Sequence, residues 1–398
     1  MYLLLATHLA LNTIVFADLL FDYHPITEVN SFVADIARKH SNVAKLQTLG
    51  QTWKGHPIWV VSLSLKSKED NYTPNVYVIA NIHGNNVVTR EVALHLISYM
   101  AQNQRSDPDV EWLLNNARVH VVPAVNIDGS DASIPGDCMG LVGSENTNGI
   151  NLNQNFPEVF DRTTTKTYEP ETASIMRLER AFPGVIALYL FGGFLAVMYP
   201  YDDVPGFLTH SPQGSPTPDD DVFKHLSTVY ASTHNTMHLS EVCPGKSYKL
   251  KRGIINGANF SKVSGSVADY SYAYEGVMGL NVYIGCCKYD SASTIQKYFE
   301  DNKTPILKTL REVGRGVRGT IMNRKSHRLA GVLLCIHNRT SGFRTNANGE
   351  FWRILLPGFY TLLISAEGYL PTSVDFQVQK KEVTTLEVKL YTGYFYEE

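Results

Sequence analysis

The chain has 398 residues, 44% apolar and 18% charged, and its 35 basic and 38 acidic side chains leave a net charge of −3. That balance excludes a disordered or low-complexity chain and gives no basic footprint, so nucleic acid is not an expected partner. At roughly 150 residues per domain the length suits two or three domains, and five cysteines are too few for a small disulfide-built fold.

Residues 1–17 read as a secretory signal peptide. Leu3, Leu4, Leu5, Leu9, Leu11, Ile14 and Val15 form an uncharged apolar run, Val15 and Ala17 are a small-residue cleavage pair, and Asp18 is the first charge. The basic segment usual at the start of a signal is missing. The run falls short of the about 20 residues a membrane span needs, and Thr7, His8, Asn12 and Thr13 interrupt it. The chain is therefore expected to be secreted and extracellular, with no membrane span after signal removal. In that setting Asn71, Asn259, Asn302 and Asn338 open Asn-X-Ser/Thr sequons and are candidate glycosylation sites. Pro74 and Pro305 follow two of them directly and weaken both. The odd cysteine count leaves one thiol over or paired between chains. Cys286 and Cys287, adjacent on a strand, point to opposite faces and are expected to take different partners.

The body reads as α/β. Helical spacing covers 26–40 (Val29, Phe32, Val33, Ile36), and 58–65 alternates as a strand. A strand at 76–80 ends at Asn81-Ile82-His83-Gly84, and a helix follows at 88–102 with Val92, Leu96 and Met100 on one face. A strand at 118–125 ends at Asn126-Ile127-Asp128-Gly129. A helix at 171–181 precedes a buried strand at 185–190. The uncharged stretch 184–199 holds Gly192-Gly193 between Pro183 and Pro200, and reads as a buried strand running into a loop. A helix at 220–237, a strand at 280–285 and a long helix at 291–313 complete this part. Strands alternating with helices imply a sheet covered on both faces. Beyond Gly314-Arg315-Gly316 only short strands and turns appear, at 319–322, 330–337, 350–355, 360–366 and 384–391, which is the pattern of a small β-sandwich. The domain plan is a signal at 1–17, an α/β domain at 18–314, a sandwich at 315–392 and a loose tail at 393–398.

Several stretches together resemble the metallocarboxypeptidases of the carboxypeptidase N/E subfamily, which includes the carboxypeptidase D-, E-, M- and N-like proteins. Gly50-Gln51-Thr52-Trp53-Lys54-Gly55-His56-Pro57 resembles the family's opening strand, and His83-Gly84-Asn85 stands at a strand end as its first zinc motif does. Pro123-Ala124-Val125-Asn126-Ile127-Asp128-Gly129 is similar to P-x-x-N-P-D-G, and Asn151-Leu152-Asn153-Gln154-Asn155-Phe156-Pro157 to D-L-N-R-N-F-P. Tyr199-Pro200-Tyr201-Asp202-Asp203 continues the likeness, as do Gly349-Glu350-Phe351-Trp352 and Ala366-Glu367-Gly368-Tyr369 near the end. The resemblance spans nearly all of 22–392. It implies a zinc-carboxypeptidase-like mixed sheet with helices on both faces, followed by a transthyretin-like β-sandwich. Fold alone does not imply catalysis.

The same resemblance implies where the chemistry should sit, and there the chain departs from it. An active member holds zinc with His, Glu and His and leaves a fourth position to water. Here H-G-N-E reads His83-Gly84-Asn85-Asn86, so a neutral amide stands for the carboxylate. L-H-G-G reads Leu190-Phe191-Gly192-Gly193, and a phenyl ring binds no metal. His83 alone does not hold zinc, and reads as a hydrogen-bonded strand-end histidine. The general base, a Glu on a late strand, aligns with Tyr283. A phenol that titrates near pH 10 does not deprotonate a zinc-bound water at neutral pH, and the missing step is worth about 10²–10⁴ in rate. Tyr283 reads as a space-filling strand tyrosine. The two substrate-binding arginines align with Gln154 and Ser144, beside a retained Asn153, so the bidentate charged grip is missing along with oxyanion stabilisation. The mobile tyrosine aligns with Ser261, which also completes the Asn259 sequon. Glu91 follows Arg90 as in active members and is no new ligand. Asp202, Asp203, Asp219, Asp220 and Asp221 read as loop and helix N-terminal charges.

The expectation is a secreted protein with no catalytic residue, no metal ligand set and no bound cofactor, zinc included. It would act as a binding or scaffold protein for a peptide or protein. The alternatives are an active zinc carboxypeptidase removing C-terminal basic residues, and a purely structural module. An open polar groove against one filled by Phe191 and Tyr283 separates binding from structure.

Overall fold

The structure is a computed structural model and describes residues 19–67, 72–161, 163, 165–206, 214–240, 243–244, 250–380 and 382–393. The signal segment, the Asn71 sequon and all of the tail but Gly393 lie outside these residues. Strands β1 (Ala44–Gln51), β2 (Pro57–Leu63), β3 (Asn75–Ala80), β4 (Arg118–Val122), β5 (Gly184–Phe191), β6 (Phe194–Tyr199), β7 (Ile254–Asn256) and β8 (Met278–Gly285) form one sheet in the order β1-β2-β4-β3-β5-β8-β6-β7. β4, β3, β5 and β8 run parallel; β1 and β2 are antiparallel at one end, and β6 returns antiparallel to β8. β3 and β5 are near-continuous apolar runs because both their faces are covered.

Helices α1 (Ile26–Lys39), α2 (Val87–Gln102), α3 (Pro108–Asn116), α4 (Pro170–Ala181), α5 (Asp220–Thr233) and α6 (Ile295–Arg311) surround the sheet. α1 buries Val29, Val33 and Ile36, with Glu28 in its first turn and Arg38 and Lys39 in its last, each favoured by the helix dipole. α3 starts where Asp107 accepts hydrogen bonds from the Asp109 and Val110 amides, with Pro108 at its first position. α2 is expected to bury one face, yet all but Tyr99 and Gln102 of its sixteen residues are buried. It lies between the sheet, α1 and α6, and a helix enclosed on all sides is no longer selected for a polar face.

A second body follows. β9 (Val317–Asn323), β12 (Glu350–Arg353) and β15 (Thr384–Leu390) make one small sheet, while β10 (Leu333–Ile336), β11 (Phe343–Arg344), β13 (Gly358–Ser365) and β14 (Thr372–Val378) make another. They enclose Ile321, Leu334, Phe351, Leu362 and Leu390. The joint to the first body is polar. Asp219, fully buried, accepts from Arg353, from Arg339 Nη1 at 2.6 Å and from Tyr272 Oη at 2.7 Å. Beside it Arg339 grips Asp221 with two bonds of 2.8 and 2.9 Å.

Several expectations need correction. The helix expected to reach Met237 ends at Thr233, and the strand expected to reach Val125 ends at Val122. The stretch after Gly193 is not a loop but β6, because its apolar side chains find β8. Asp202 and Asp203 do lie in a loop, as read, but both are buried. Asn302 cannot carry a glycan in this fold. It is fully buried on α6, and its amide donates to the carbonyls of Ile284 (3.1 Å) and Tyr298 (2.8 Å) and accepts from Tyr230 (2.7 Å). Asn338 is exposed and Asn259 half-buried. The cysteines pair as Cys138–Cys287 and Cys243–Cys286, so the adjacent pair does take separate partners, and Cys335 is free.

Candidate functional site

The carboxyl ends of β3, β5 and β8 lie side by side, the edge where open α/β sheets place their ligands. β3 delivers the turn that bears His83. Gly84 is required there, because a Cβ would come within 2.5 Å of backbone atoms of Gly129 and Gly143. Asn81 braces the turn by donating to the Gly84 carbonyl at 2.8 Å. Asn86 stands at the start of α2, Phe191 ends β5, and Tyr283 lies opposite Phe191 on β8.

The three positions that match the zinc ligands do come together. The Phe191 ring centre is 5.2 Å from the His83 ring, and the amide of the next residue, Gly192, donates to Asn86 Oδ1. Asn86 Nδ2 donates to Asn85 Oδ1 at 2.9 Å, and Asn85 Nδ2 donates to the Gly140 carbonyl at 3.0 Å. His83 Nε2 lies 3.0 Å from Asn151 Oδ1, which also accepts from the Asn153 amide. An oxygen accepts from hydrogen, so Nε2 carries the proton. Burial pushes His83 down to about 4, the Asn151 bond opposing and Lys288 adding to the fall, so the ring is neutral at pH 7. A carboxylate behind the ring would raise its basicity as a ligand, and this neutral amide does not.

Phe191 is fully buried and stacks on Tyr283 at 5.3 Å. Tyr283 meets Phe194 edge-on at 6.2 Å, and Phe194 lies 5.1 Å from Phe260, which is 43% exposed. Aromatic rings thus run from the floor to the surface. Burial first, and the Asp202 charge second, hold the Tyr283 phenol well above its ordinary value, so it stays neutral. One imidazole, one carboxamide and one phenyl ring do not fit a zinc ion, which takes nitrogen, sulfur or carboxylate ligands. Among the described residues no three His, Cys, Asp or Glu side chains are grouped to hold a metal ion.

The remaining expected positions are spread around this floor. Asn153 is buried with its Oδ1 accepting from the Val267 amide at 3.1 Å, whereas Gln154 is exposed. Ser144 is buried on the 131–150 loop, and its carbonyl accepts from Gly84 N and Asn126 Nδ2. Ser261 is exposed just beyond the short turn Gly257–Phe260. Glu91 points away from the floor, to His24 Nδ1 at 2.7 Å and to Arg90.

Sequence reasoning missed two contributors. Lys288 Nζ donates to the Gly140 carbonyl at 2.9 Å and brings a cation beside His83. Buried Asp202 accepts from Asn281 Nδ2 at 2.8 Å, and both oxygens of Asp269 accept from the Asp202 and Asp203 amides. Burial pushes Asp202 up to about 6, opposed by bonds from Ser266 and Asn281, and raises Asp269 too. The run Asp202-Asp203 was visible, but its burial depended on β6, which had not been recognised.

A mixed eight-stranded sheet with helices on both faces, its β3 and β5 ends carrying the His-Gly-Asn and Gly-Gly turns, defines an α/β fold of the carboxypeptidase type. The zinc carboxypeptidase sequence profile matches residues 29–305 and the carboxypeptidase regulatory-like domain profile residues 316–391. The chain belongs to the zinc carboxypeptidase family. It is 33% identical to mouse carboxypeptidase M over 358 residues, 89% of this chain and 80% of that protein. It is 31% identical to mouse carboxypeptidase D, covering 91% of this chain but only 26% of that longer protein. Rat carboxypeptidase Z is 29% identical, with 88% of this chain and 57% of that one matched. Among solved structures, thrombin activatable fibrinolysis inhibitor superposes with a TM-score of 0.59 at 14% identity, over 74% of this chain and 75% of that one. Carboxypeptidase A from Helicoverpa armigera gives 0.55 at 17%, over 74% of each chain. These two show a shared fold.

Proposed function

We propose that this chain is a secreted carboxypeptidase-family protein that holds no catalytic zinc, removes no C-terminal residues, and binds a peptide or protein partner on the surface around the carboxyl edge, where Phe191 and Tyr283 fill the floor, or on the sandwich. The observation that carries the reading is Phe191. A buried phenyl ring stands where the second imidazole would reach the metal, packed between His83 and Tyr283. The neighbouring substitutions point the same way: an amide at Asn86, a neutral phenol at the base position, and no guanidinium at Ser144 or Gln154. Without those charges the groove has no reason to prefer a free C-terminal carboxylate. Secretion is supported by the apolar run at 1–17 and by two disulfides, which persist in oxidising compartments. Among the described residues no helix is long and apolar enough to cross a membrane.

The test is zinc content per chain of the secreted protein, by elemental mass spectrometry after mild dialysis. The expected value is near zero, with no trimming of peptides ending in Lys or Arg. About one retained zinc per chain, with trimming, overturns the reading and restores the active carboxypeptidase. The double variant Asn86→Glu, Phe191→His rebuilds the ligand triad and is expected to gain zinc.

A further inference from the structure

The two faces of the large sheet are unequally covered. One face carries α1, α2, α3, α5 and α6. The other is covered by α4 only where Leu49, Ile58 and Val60 meet Ile175 and Leu178. Nearer the start of β1, that face holds polar residues. Lys45 pairs with Ser62, and Ser62 with His120, in one row across β1, β2 and β4. Alternate residues share a face, so Gln47, Ser64 and Arg118 join the row. Together they line a concavity of about 560 Å³ that Phe182 also lines, its ring 5.0 Å from His120. Among the described residues that line it, Lys45, Lys66 and Arg118 are cationic and none is acidic.

The floor of this concavity is neutral and its proton positions follow from its hydrogen bonds. Asn75 Nδ2 donates to the Pro183 carbonyl at 3.1 Å, so Asn75 Oδ1 accepts from His120 Nε2 at 3.0 Å. His120 Nδ1 is then an acceptor and takes the Ser62 hydroxyl at 2.8 Å. Burial, with Arg118 adding, pushes His120 down to about 3, so it carries no charge. Among the described lining residues the positive charge lies on the rim: Lys45 is exposed, Lys66 and Arg118 are half-exposed, and Arg118 Nη2 donates to the Ser67 carbonyl at 3.3 Å.

We propose that this concavity binds a polyanionic glycan, a sulfated oligosaccharide. Lys45 and Arg118 stand two strand spacings and two residues apart, roughly 12 Å between Cα atoms, a span that suits successive anionic groups on one chain better than a single ion. Ser41, Asn42 and Gln47 on the rim supply partners for sugar hydroxyls. Phe182 is the one aromatic ring besides His120 among the described lining residues, so there is no row of rings to stack nucleobases as single-stranded nucleic acids require. A net charge of −3 does not oppose this, because binding responds to the local field of the patch. The site shares no residue with the floor around His83 and stands or falls apart from the proposed function.

The experiment is calorimetric titration of the full secreted protein with a heparin-derived octasaccharide, at low and at physiological salt. Binding is expected at low salt and should weaken as salt rises. Lys45→Glu with Lys66→Glu is expected to lower affinity about tenfold or more, with an unchanged melting temperature because neither side chain is buried. Lys389→Glu, on the sandwich, is expected to leave affinity unaltered. Absence of binding at low salt overturns the proposal, as does equal loss in the two variants. Inorganic sulfate or a single-stranded oligonucleotide binding as tightly as the octasaccharide also overturns it.

Discussion

The joint between the two bodies and the floor at the carboxyl edge of the sheet both take polar groups out of water, and they treat charge in opposite ways. At the joint, Asp219 is fully buried and keeps its charge. Arg353, Tyr272 and Arg339 all donate to it, and the neighbouring guanidinium groups hold its carboxyl below the usual range against the opposing effect of burial. At the floor, the groups that would bear or bind charge are neutral: a neutral imidazole, two linked carboxamides, a phenol and a phenyl ring. The difference teaches that buried charge persists in this molecule where guanidinium groups surround it. Where a metal would have been the counter-charge, the side chains are uncharged and satisfy one another.

That contrast can be broken at either end. Arg353→Ala leaves Asp219 buried beside an unfilled space and is expected to destabilise the chain by about 3–5 kcal/mol, read as a large fall in the denaturation midpoint. If the loss is small, the joint is wetter than its burial implies. Phe191→Ala should cost about 3 kcal/mol or slightly more by opening a cavity between His83 and Tyr283; a negligible loss would mean that the floor is loosely packed. Asn86→Ala strands the Gly192 amide and is expected to cost about 1–3 kcal/mol, measured in the same denaturant titration.

Another buried acid sharpens the comparison. Glu179 accepts from Tyr189 Oη at 2.7 Å and from the Ser271 hydroxyl, with no cation bonded to it among the described residues, and burial lifts it from 4.5 to about 8. Its folded value lies above its unfolded one, so folding takes up a proton. The stability it permits is present in full below the unfolded value of about 4.5, and is lost as pH rises through the folded value near 8. Glu179→Gln keeps a neutral acceptor. It should match the parent at low pH and exceed it by about 1–2 kcal/mol at alkaline pH, which melting curves across pH will report. The smallest effect is expected at Asn338. It is exposed, so Asn338→Gln should change stability by less than about 0.5 kcal/mol while lowering the mass of the secreted protein by one glycan.

Much of this architecture was legible from periodicity. The helix at 26–40, the strand at 76–80 and the long helix near 291–313 appear within a few residues of their expected bounds, because their apolar spacing matches the faces they bury. β1, β6, β14 and α3 were not read as elements. β1 and β14 lie at sheet edges with alternate residues exposed, so their sequences hold too few apolar residues to stand out. The positions of the floor were legible only through resemblance, since the His83–Asn86 turn, Phe191 and Tyr283 are far apart in the chain and share no spacing. What no pattern held was the wiring: the proton on His83 Nε2, the Lys288 contact with Gly140, and the burial of Asp202 all depend on strands meeting across the sheet.

Cys286 and Cys287 sit together just past β8, and each is tied to a different part of the chain, one to Cys243 and the other, through Cys138, to the 131–150 loop. One strand end is therefore a common mooring for two covalent ties. Neither Cys138 nor Cys243 can part from it without breaking a bond. Exposure to a thiol reductant would release both from the same point.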